Sequence, residues 1–285
     1  MSSAHHNVDA KNDNGRRRLM GRFQGRSAIV TGAAGGIGAA IASLLAAEGA
    51  EVFAVDVNEG ALQHDARGIT NYLCDVTSDE QVVAMVGQLV ETHGRLDMLF
   101  NNAGTGTIGD VTETTDEDWE RVFKVNMTAI MYASRAAIPH MRRQGGGVIV
   151  NTASVSGLGG DYGFGAYTAS KGAVVNYTRT LAIDHGRDNI RVNAFCPGFI
   201  PQTGLTKGLE GLPVKDIFES IIPMGRGGTP EEMASVAAFL ASDQASYVTG
   251  AILVADGGLT AHTGQPNLLA VTRALMAQSP DVSLV

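Results

Sequence analysis

From residue 26 onward, short apolar runs alternate with longer stretches whose apolar positions recur at helical spacing. The runs Ser27–Thr31, Glu51–Val55, Tyr72–Cys74, Leu96–Phe100, Gly147–Asn151, Arg191–Phe195 and Ala251–Val254 are too short for helices and read as strands. Between them, Ile37–Glu48, Ser78–His93, Asp116–Gln144, Ala166–His185 and Pro230–Ser242 read as amphipathic helices. Strand and helix alternating along the whole chain predict an α/β fold with a parallel sheet. Right-handed crossovers then give a single doubly wound Rossmann domain, a seven-stranded sheet with helices on both faces.

Length and composition fit that expectation. At 285 residues, 44% hydrophobic and 18% charged, the chain supports one large α/β domain. Residues 1–22 are polar and lack periodicity, so they read as a disordered N-terminal extension. The Rossmann-type domain then runs over 23–260, and 261–285 form a C-terminal tail. Five of the eight prolines (Pro197, Pro201, Pro213, Pro223, Pro230) fall in one stretch after the sixth strand, which marks 199–229 as a candidate lid or a surface excursion.

A net charge of −8 argues against a nucleic-acid surface, and no apolar run reaches the length of a membrane span. Arg16–Arg18 are followed by Leu19-Met20-Gly21-Arg22 rather than an apolar segment, so a cytoplasmic protein is expected. Cys74 and Cys196 have no close spacing and read as buried free thiols. No His, Cys and carboxylate cluster has metal-ligand spacing, so no metal is expected.

The chemistry concentrates around Tyr167. Lys171 follows it by four residues, which places phenol and ammonium on one helix face, and Ser154 precedes it. A free tyrosine titrates near pH ~10. An adjacent cation favours the phenolate and moves the group toward useful acid–base work. The Ser154 hydroxyl is then placed to hold a carbonyl or alcohol oxygen. Asn126 sits inside a predicted helix against its propensity; it either anchors a water leading toward Lys171 or is an exposed polar position.

A glycine turn supplies the electron carrier. Thr31-Gly32-Ala33-Ala34-Gly35-Gly36-Ile37-Gly38 joins the first strand to the first helix, whose N-terminal N–H groups suit a pyrophosphate. Asp56, about 20 residues on, is placed for adenosine ribose hydroxyls and repels a 2′-phosphate, which favours NAD over NADP. The alternative is an Asp capping a helix over 58–67. Asp75 before Val76 either holds an adenine amine or belongs to the cap at Ser78. Asn102-Ala103-Gly104 either lets backbone pass close to a cofactor or is a simple turn.

Together these motifs resemble the short-chain dehydrogenase/reductase family in its NAD-preferring form, over approximately residues 26–258. The resemblance implies that Gly32, Gly36, Ile37 and Gly38 hold the pyrophosphate, Asp56 selects NAD, and Asp75 with Val76 meets the adenine. Asn102, Ala103 and Gly104 would lie beside the adenosine ribose, and Pro197, Gly198 and Ile200 on the nicotinamide side. Asn126, Ser154, Tyr167 and Lys171 match the catalytic tetrad: Tyr167 as acid/base, Ser154 on the substrate oxygen, Lys171 on the nicotinamide ribose, and Asn126 on a relay water.

The family usually has Ile-x-Thr after Pro-Gly. Here Ile200-Pro201-Gln202 intervenes and Thr203 arrives one residue late, so Gln202 or Thr203 would take the nicotinamide contact. A narrower likeness, in Asn151–Asp161, Lys171–Asn176, Leu181–Gly186 and Gly264-Gln265-Pro266, is to bacterial meso-2,3-butanediol dehydrogenases (acetoin reductases).

That likeness implies a small secondary alcohol, diol or hydroxyketone as substrate, with Val155, Asp161 and Tyr162 as wall candidates or loop packing. Cyclic or terpene alcohols, a 3-oxoacyl reductase, and a non-catalytic NAD-binding regulator are the alternatives. Trp119 reads as helix packing. The family's pairing of long helices across subunits implies a homotetramer.

Overall fold

A computed structural model of the chain describes residues 21–201, 203, 204, 206, 213–263, 265 and 267–278. Residues 1–20, Gln202, Gly264 and Pro266 lie outside the described residues. Seven strands form one sheet: β1 (Ser27–Thr31), β2 (Glu51–Asp56), β3 (Ile69–Leu73), β4 (Met98–Asn101), β5 (Gly147–Thr152), β6 (Ile190–Pro197) and β7 (Ile252–Ala255). Their order is β3-β2-β1-β4-β5-β6-β7 and every pairing is parallel. This is the doubly wound topology expected from the strand–helix alternation.

Strand side chains alternate between two buried faces, which is why the strands read as near-continuous apolar runs. Ala28, Val30, Val52, Ala54, Met98, Phe100, Val148 and Val150 point to one face. There they pack on α1 (Gly36–Ala47), through Ile41 and Leu45, and on α7 (Pro230–Ala241), through Met233, Ala237 and Leu240. Ile29, Phe53, Val55, Leu99, Ile149 and Val192 point to the other. That face is covered by α2 (Asp79–His93), α4 (Ala129–Arg143) and α5 (Gly165–His185), through Met85, Leu89, Ala137, Met141 and Leu181. Each such large apolar side chain contributes about 1.5–3 kcal/mol by leaving water, so both sheet faces are strongly anchored.

Three elements depart from the sequence expectations. β3 begins earlier than Tyr72 and ends at Leu73, leaving Cys74 just beyond it. It is an edge strand with mostly exposed side chains, so apolar content does not mark its limits. The stretch Asp116–Gln144 is not one α-helix: α3 (Asp116–Phe123) passes through a π turn at Lys124–Thr128 into α4. In the tail, α8 (Leu268–Gln278) adds a helix that was not anticipated. The region 199–229 contains α6 (Val214–Ile221), tied to its start by rings of Phe199 and Phe218 stacked 4.4 Å apart.

β1 and β4 are neighbours where the winding reverses direction, so the ends of β1, β4, β5 and β6 open onto one crevice. The residues singled out above gather there.

Candidate active site

The glycine turn leaves β1 and enters α1 with unusual economy of side chains. Gly32 and Gly36 hold φ of 66° and 53°, a left-handed region that other residues rarely adopt. A Cβ on Gly38 would collide with the Gly32 carbonyl oxygen and lie 2.6 Å from Asn102 Nδ2. α2, α3 and α7 are each capped by a side-chain oxygen (Ser78, Thr115, Thr229) and carry acids in their first turns. α1 has neither a capping side chain nor a first-turn acid. Its N-terminal N–H groups and positive dipole end thus fit a diphosphate, and the residues present fit a dinucleotide.

Neighbouring strands clamp this turn. Thr31 Oγ1 accepts the backbone N–H groups of Asn102 at 3.0 Å and Ala103 at 3.1 Å. Asn102 Nδ2 donates back to the carbonyls of Thr31 and Gly32, and Thr152 Oγ1 donates to Asn102 Oδ1 at 3.1 Å.

Asp56 ends β2 with Oδ2 accepting the Ala34 N–H and Oδ1 accepting the Asn58 N–H, each at 3.0 Å. No helix occupies 58–67, so Asp56 caps none; its charge lies on the glycine turn. Asp75 Oδ1 accepts from the backbone and hydroxyl of Thr77, while Ser78 caps α2. Asp75 and Val76 are partly exposed at the end of β3.

Tyr167, Lys171 and Ser154 come together as their spacing predicts. Ser154 is buried at the start of the loop after β5, and its hydroxyl meets the Tyr167 phenol. The Phe164 ring stands edge-on to the Tyr167 ring at 6.0 Å. Lys171 is 3% exposed, with Nζ 5.7 Å from the Tyr167 ring centroid, donating to the Thr152 carbonyl at 2.8 Å.

The electrostatics differ from the sequence expectation. Burial holds the Tyr167 phenol above its ordinary value; the Ser154 hydrogen bond opposes that rise, and the Asp161 charge adds to it. Burial also pulls Lys171 down to about 8. The lysine is therefore a weakened cation over the ring face, and its expected pull on the phenol does not prevail.

Asn126 lies in the π turn and is fully buried. Its Oδ1 accepts the Thr105 N–H at 2.8 Å, and Nδ2 donates to the Thr105 carbonyl and Ser170 Oγ, both at 2.9 Å. The side chain thus joins the loop after β4 to α5, and the extra residue of the π turn accommodates that reach. It is not an exposed helix position. Gly104 runs between the two: a Cβ there would lie 3.5 Å from Asn126 Oδ1 and 3.6 Å from Lys171 Nζ. Thr31, Thr105, Thr152, Ser156 and Ser170 support the site and were missed in the sequence, where nothing local distinguishes them from ordinary strand and helix residues.

The remaining candidates divide. A Cβ on Gly198 would meet Asp256 at 2.7 Å, so the chain after Pro197 passes hard against the end of β7. Ile200 buries its side chain in the core, and its carbonyl accepts the Thr203 and Thr206 hydroxyls at 3.3 and 3.2 Å. Thr203 packs on the glycine turn, 3.3 Å from where a Gly36 Cβ would stand. Val155 is partly buried in a short 3-10 turn. Asp161 bonds to Ser156. Tyr162 is fully exposed on the rim of a cleft and forms no buried wall. Trp119 packs on Phe123 at 4.9 Å and also lines that cleft.

The family model described as enoyl-(acyl carrier protein) reductase matches residues 32–260. The chain belongs to the short-chain dehydrogenase/reductase family. Meso-2,3-butanediol dehydrogenase of Serratia marcescens is 42% identical to it over 253 residues, 87% of this chain and 100% of that one. A 3-oxoacyl-[acyl-carrier-protein] reductase of Thermotoga maritima is 42% identical over 247 residues, 84% and 99% of the two chains. Cyclopentanol dehydrogenase of Comamonas testosteroni is 39% identical over 253 residues, 85% and 100%. The structure of ligand-free aldohexose dehydrogenase from Thermoplasma acidophilum superposes with a TM-score of 0.81 at 33% identity, covering 87% of this chain and 99% of that one.

This short-chain dehydrogenase/reductase is thus an oxidoreductase acting on CH–OH groups with a nicotinamide cofactor. Among the described residues, no helix is long and apolar enough to cross a membrane, and no group of three or more His, Cys, Asp or Glu could hold a metal ion.

Proposed function

We propose that this short-chain dehydrogenase/reductase is an NAD-dependent secondary-alcohol dehydrogenase and ketone reductase, with Tyr167 as general acid/base. The observation that carries the proposal is the convergence of the Tyr167 phenol, the Ser154 hydroxyl and the buried Lys171 ammonium at the crevice. Gly32, Gly36, Ile37 and Gly38 would hold the NAD pyrophosphate, Asp56 the adenosine ribose, Asp75 and Val76 the adenine. Asn102, Ala103, Gly104, Pro197, Gly198 and the Ile200 backbone would line the rest, with Tyr167 and Lys171 at the nicotinamide ribose. NAD, when bound, supplies the hydride acceptor.

The chain's own residues handle the proton. Ser154 holds the substrate oxygen while Tyr167 takes its proton during oxidation or returns it during reduction. Lys171 keeps positive charge beside the phenol, which favours phenolate as the proton leaves. Asn126 fixes Thr105 and α5, which keeps Lys171 and Tyr167 on one side of the crevice.

Preference for NAD rests on the Asp56 carboxylate at the glycine turn, where a 2′-phosphate would meet like charge. A 3-oxoacyl reductase using NADPH is disfavoured on that ground. The substrate proposed is a small diol or hydroxyketone, supported by likeness to the butanediol dehydrogenase. Cyclic alcohols are the second reading, supported by the cyclopentanol dehydrogenase and by a cleft of about 500 Å³ that Val111, Trp119 and Tyr162 line. A regulator without turnover is disfavoured because all four tetrad residues are present.

A homotetramer in the cytoplasm completes the proposal. Half-exposed Leu253 and Val254 on edge strand β7 leave an apolar edge for self-association. Burial pushes the thiols of Cys74 and Cys196 up to about 11, as suits inert groups in a reducing compartment. The test is incubation with NAD or NADP and short diols, cyclic alcohols and bicyclic terpenols, read by reduced-nicotinamide absorbance. NADH from a diol supports the proposal, and tight NAD binding without turnover of any alcohol supports the regulator.

A further inference from the structure

The peptide joining Ala33 to Ala34 in the glycine turn is gripped at both ends. Its N–H donates to Asp56 Oδ2 at 3.0 Å, and its carbonyl oxygen meets His64 Nε2 at 2.8 Å. A carbonyl oxygen only accepts, so Nε2 carries the hydrogen and donates. The peptide is trans, so its N–H and C=O point to opposite sides. Asp56 and His64 therefore hold it from opposite directions.

His64 is itself held in place. Its backbone N–H donates to Asn71 Oδ1 at 3.2 Å, and Asn71 Nδ2 donates back to the His64 carbonyl at 2.9 Å. Asn71 lies on edge strand β3, in register with Ala54 of β2, and is exposed. Two residues before His64, Leu62 is buried in the same core cluster as Ala33. The non-helical segment 57–68 is thus pinned at Leu62 and at Asn71, and it aims one imidazole at the turn.

Asp56 shows what this grip serves. A carboxylate offers about four acceptor positions. Asp56 uses one on the Ala34 N–H and one on the Asn58 N–H, which leaves acceptor capacity for two ribose hydroxyls. Rotation of the Ala33–Ala34 peptide would turn its carbonyl oxygen toward that carboxylate, and repulsion would drive Asp56 off the turn. His64 opposes the rotation by holding the carbonyl on the far side.

We propose that His64 is a positioning residue for the adenosine half of the dinucleotide, acting through the Ala33–Ala34 peptide on Asp56. The proposal rests on the dinucleotide assignment of the proposed function. Without the imidazole, Asp56 is turned away in part of the free protein, and apparent affinity falls with the fraction that stays competent.

Calorimetric titration with ADP-ribose, which carries adenosine and pyrophosphate but no nicotinamide, reads this without turnover. It is run on wild type, His64→Leu, His64→Gln and Asn71→Ala, with thermal unfolding to check that each folds and NADH formation from the alcohol panel alongside. His64→Leu should lose about five-fold in affinity, the worth of one net hydrogen bond. His64→Gln, whose amide nitrogen reaches the place of Nε2, should recover most of that loss. Asn71→Ala should weaken binding in the same direction. The double variant should lose no more than His64→Leu alone, because the two residues act in series.

Unchanged affinity in His64→Leu, or in Asn71→Ala should the former not fold, overturns the proposal. A loss that His64→Gln does not recover also overturns it, since the ring then acts by direct contact. A wild type that binds no ADP-ribose overturns the dinucleotide assignment, and this proposal with it. The expected losses in a protein that oxidises no alcohol support this proposal and overturn the dehydrogenase reading alone.

Discussion

Lys171 Nζ lies over the Tyr167 ring, 5.7 Å from its centroid, and donates to the carbonyl of Thr152 at 2.8 Å. The ammonium is thus buried beside the phenol with one protein acceptor, and desolvation brings it to about 8 from 10.5. Below pH 8 the folded and unfolded chains both carry the proton, and the cost of burying the charge is felt in full. Between 8 and 10.5 the unfolded chain holds a proton that the folded chain has lost, so stability rises with pH across that window. Lys171→Met should stabilise the fold at pH about 7 by about 2 kcal/mol, net of the lost bond to Thr152. The gain should shrink by pH about 10, while activity is lost at both. Urea unfolding at the two pH values measures this; a gain independent of pH would contradict it.

Gly38→Ala should cost about 1–3 kcal/mol from overpacking, because the added methyl collides with the Gly32 carbonyl and crowds Asn102. Nucleotide affinity should fall more than stability does, since relief requires opening the turn. Isothermal titration with NAD beside thermal unfolding checks both; unchanged affinity would remove the turn from the binding site.

Asp56→Ala removes the carboxylate that the Ala34 N–H now meets at 3.0 Å. The NAD-to-NADP ratio of kcat/KM should fall at least about ten-fold, equivalent to about 1.4 kcal/mol. An unchanged ratio would show that Asp56 only braces the turn.

Thr229→Ala should cost about 1 kcal/mol. Thr229 Oγ1 accepts the Glu232 N–H at 3.2 Å, and Glu232 Oε2 accepts the Thr229 N–H at 2.9 Å, a reciprocal cap on α7. α7 shares its core with α1, so NAD affinity should survive while the thermal midpoint drops. A loss of affinity larger than the loss of stability would place α7 in the binding site.

The fold was legible because both sheet faces are buried, so most strands stand out as apolar runs between helical periods. The edge strand β3 was misplaced for the converse reason: Thr70, Asn71 and Leu73 are exposed there. The glycine turn and the Tyr167–Lys171 spacing are local patterns, and the structure brings those residues to one crevice. The π turn at Asn126 was not legible, because it follows from contacts with Thr105 and Ser170, distant in sequence. Nor was the sign of the Tyr167 shift, since neighbouring letters reveal a nearby lysine but not that burial weakens it. The hydrogen bonds that join Ser154, Ser156 and Asp161 depend on how a glycine-rich loop folds back, which spacing does not specify.

The central claim is that Tyr167 moves the substrate proton in an NAD-dependent alcohol oxidation. Comparing wild type and Tyr167→Phe for NADH formation from the alcohol panel, with NAD affinity measured alongside, tests it most directly. The wild type should form NADH from at least one secondary alcohol. Tyr167→Phe should lose about 100- to 10,000-fold in rate with NAD affinity nearly unchanged. Turnover retained in Tyr167→Phe would contradict the account.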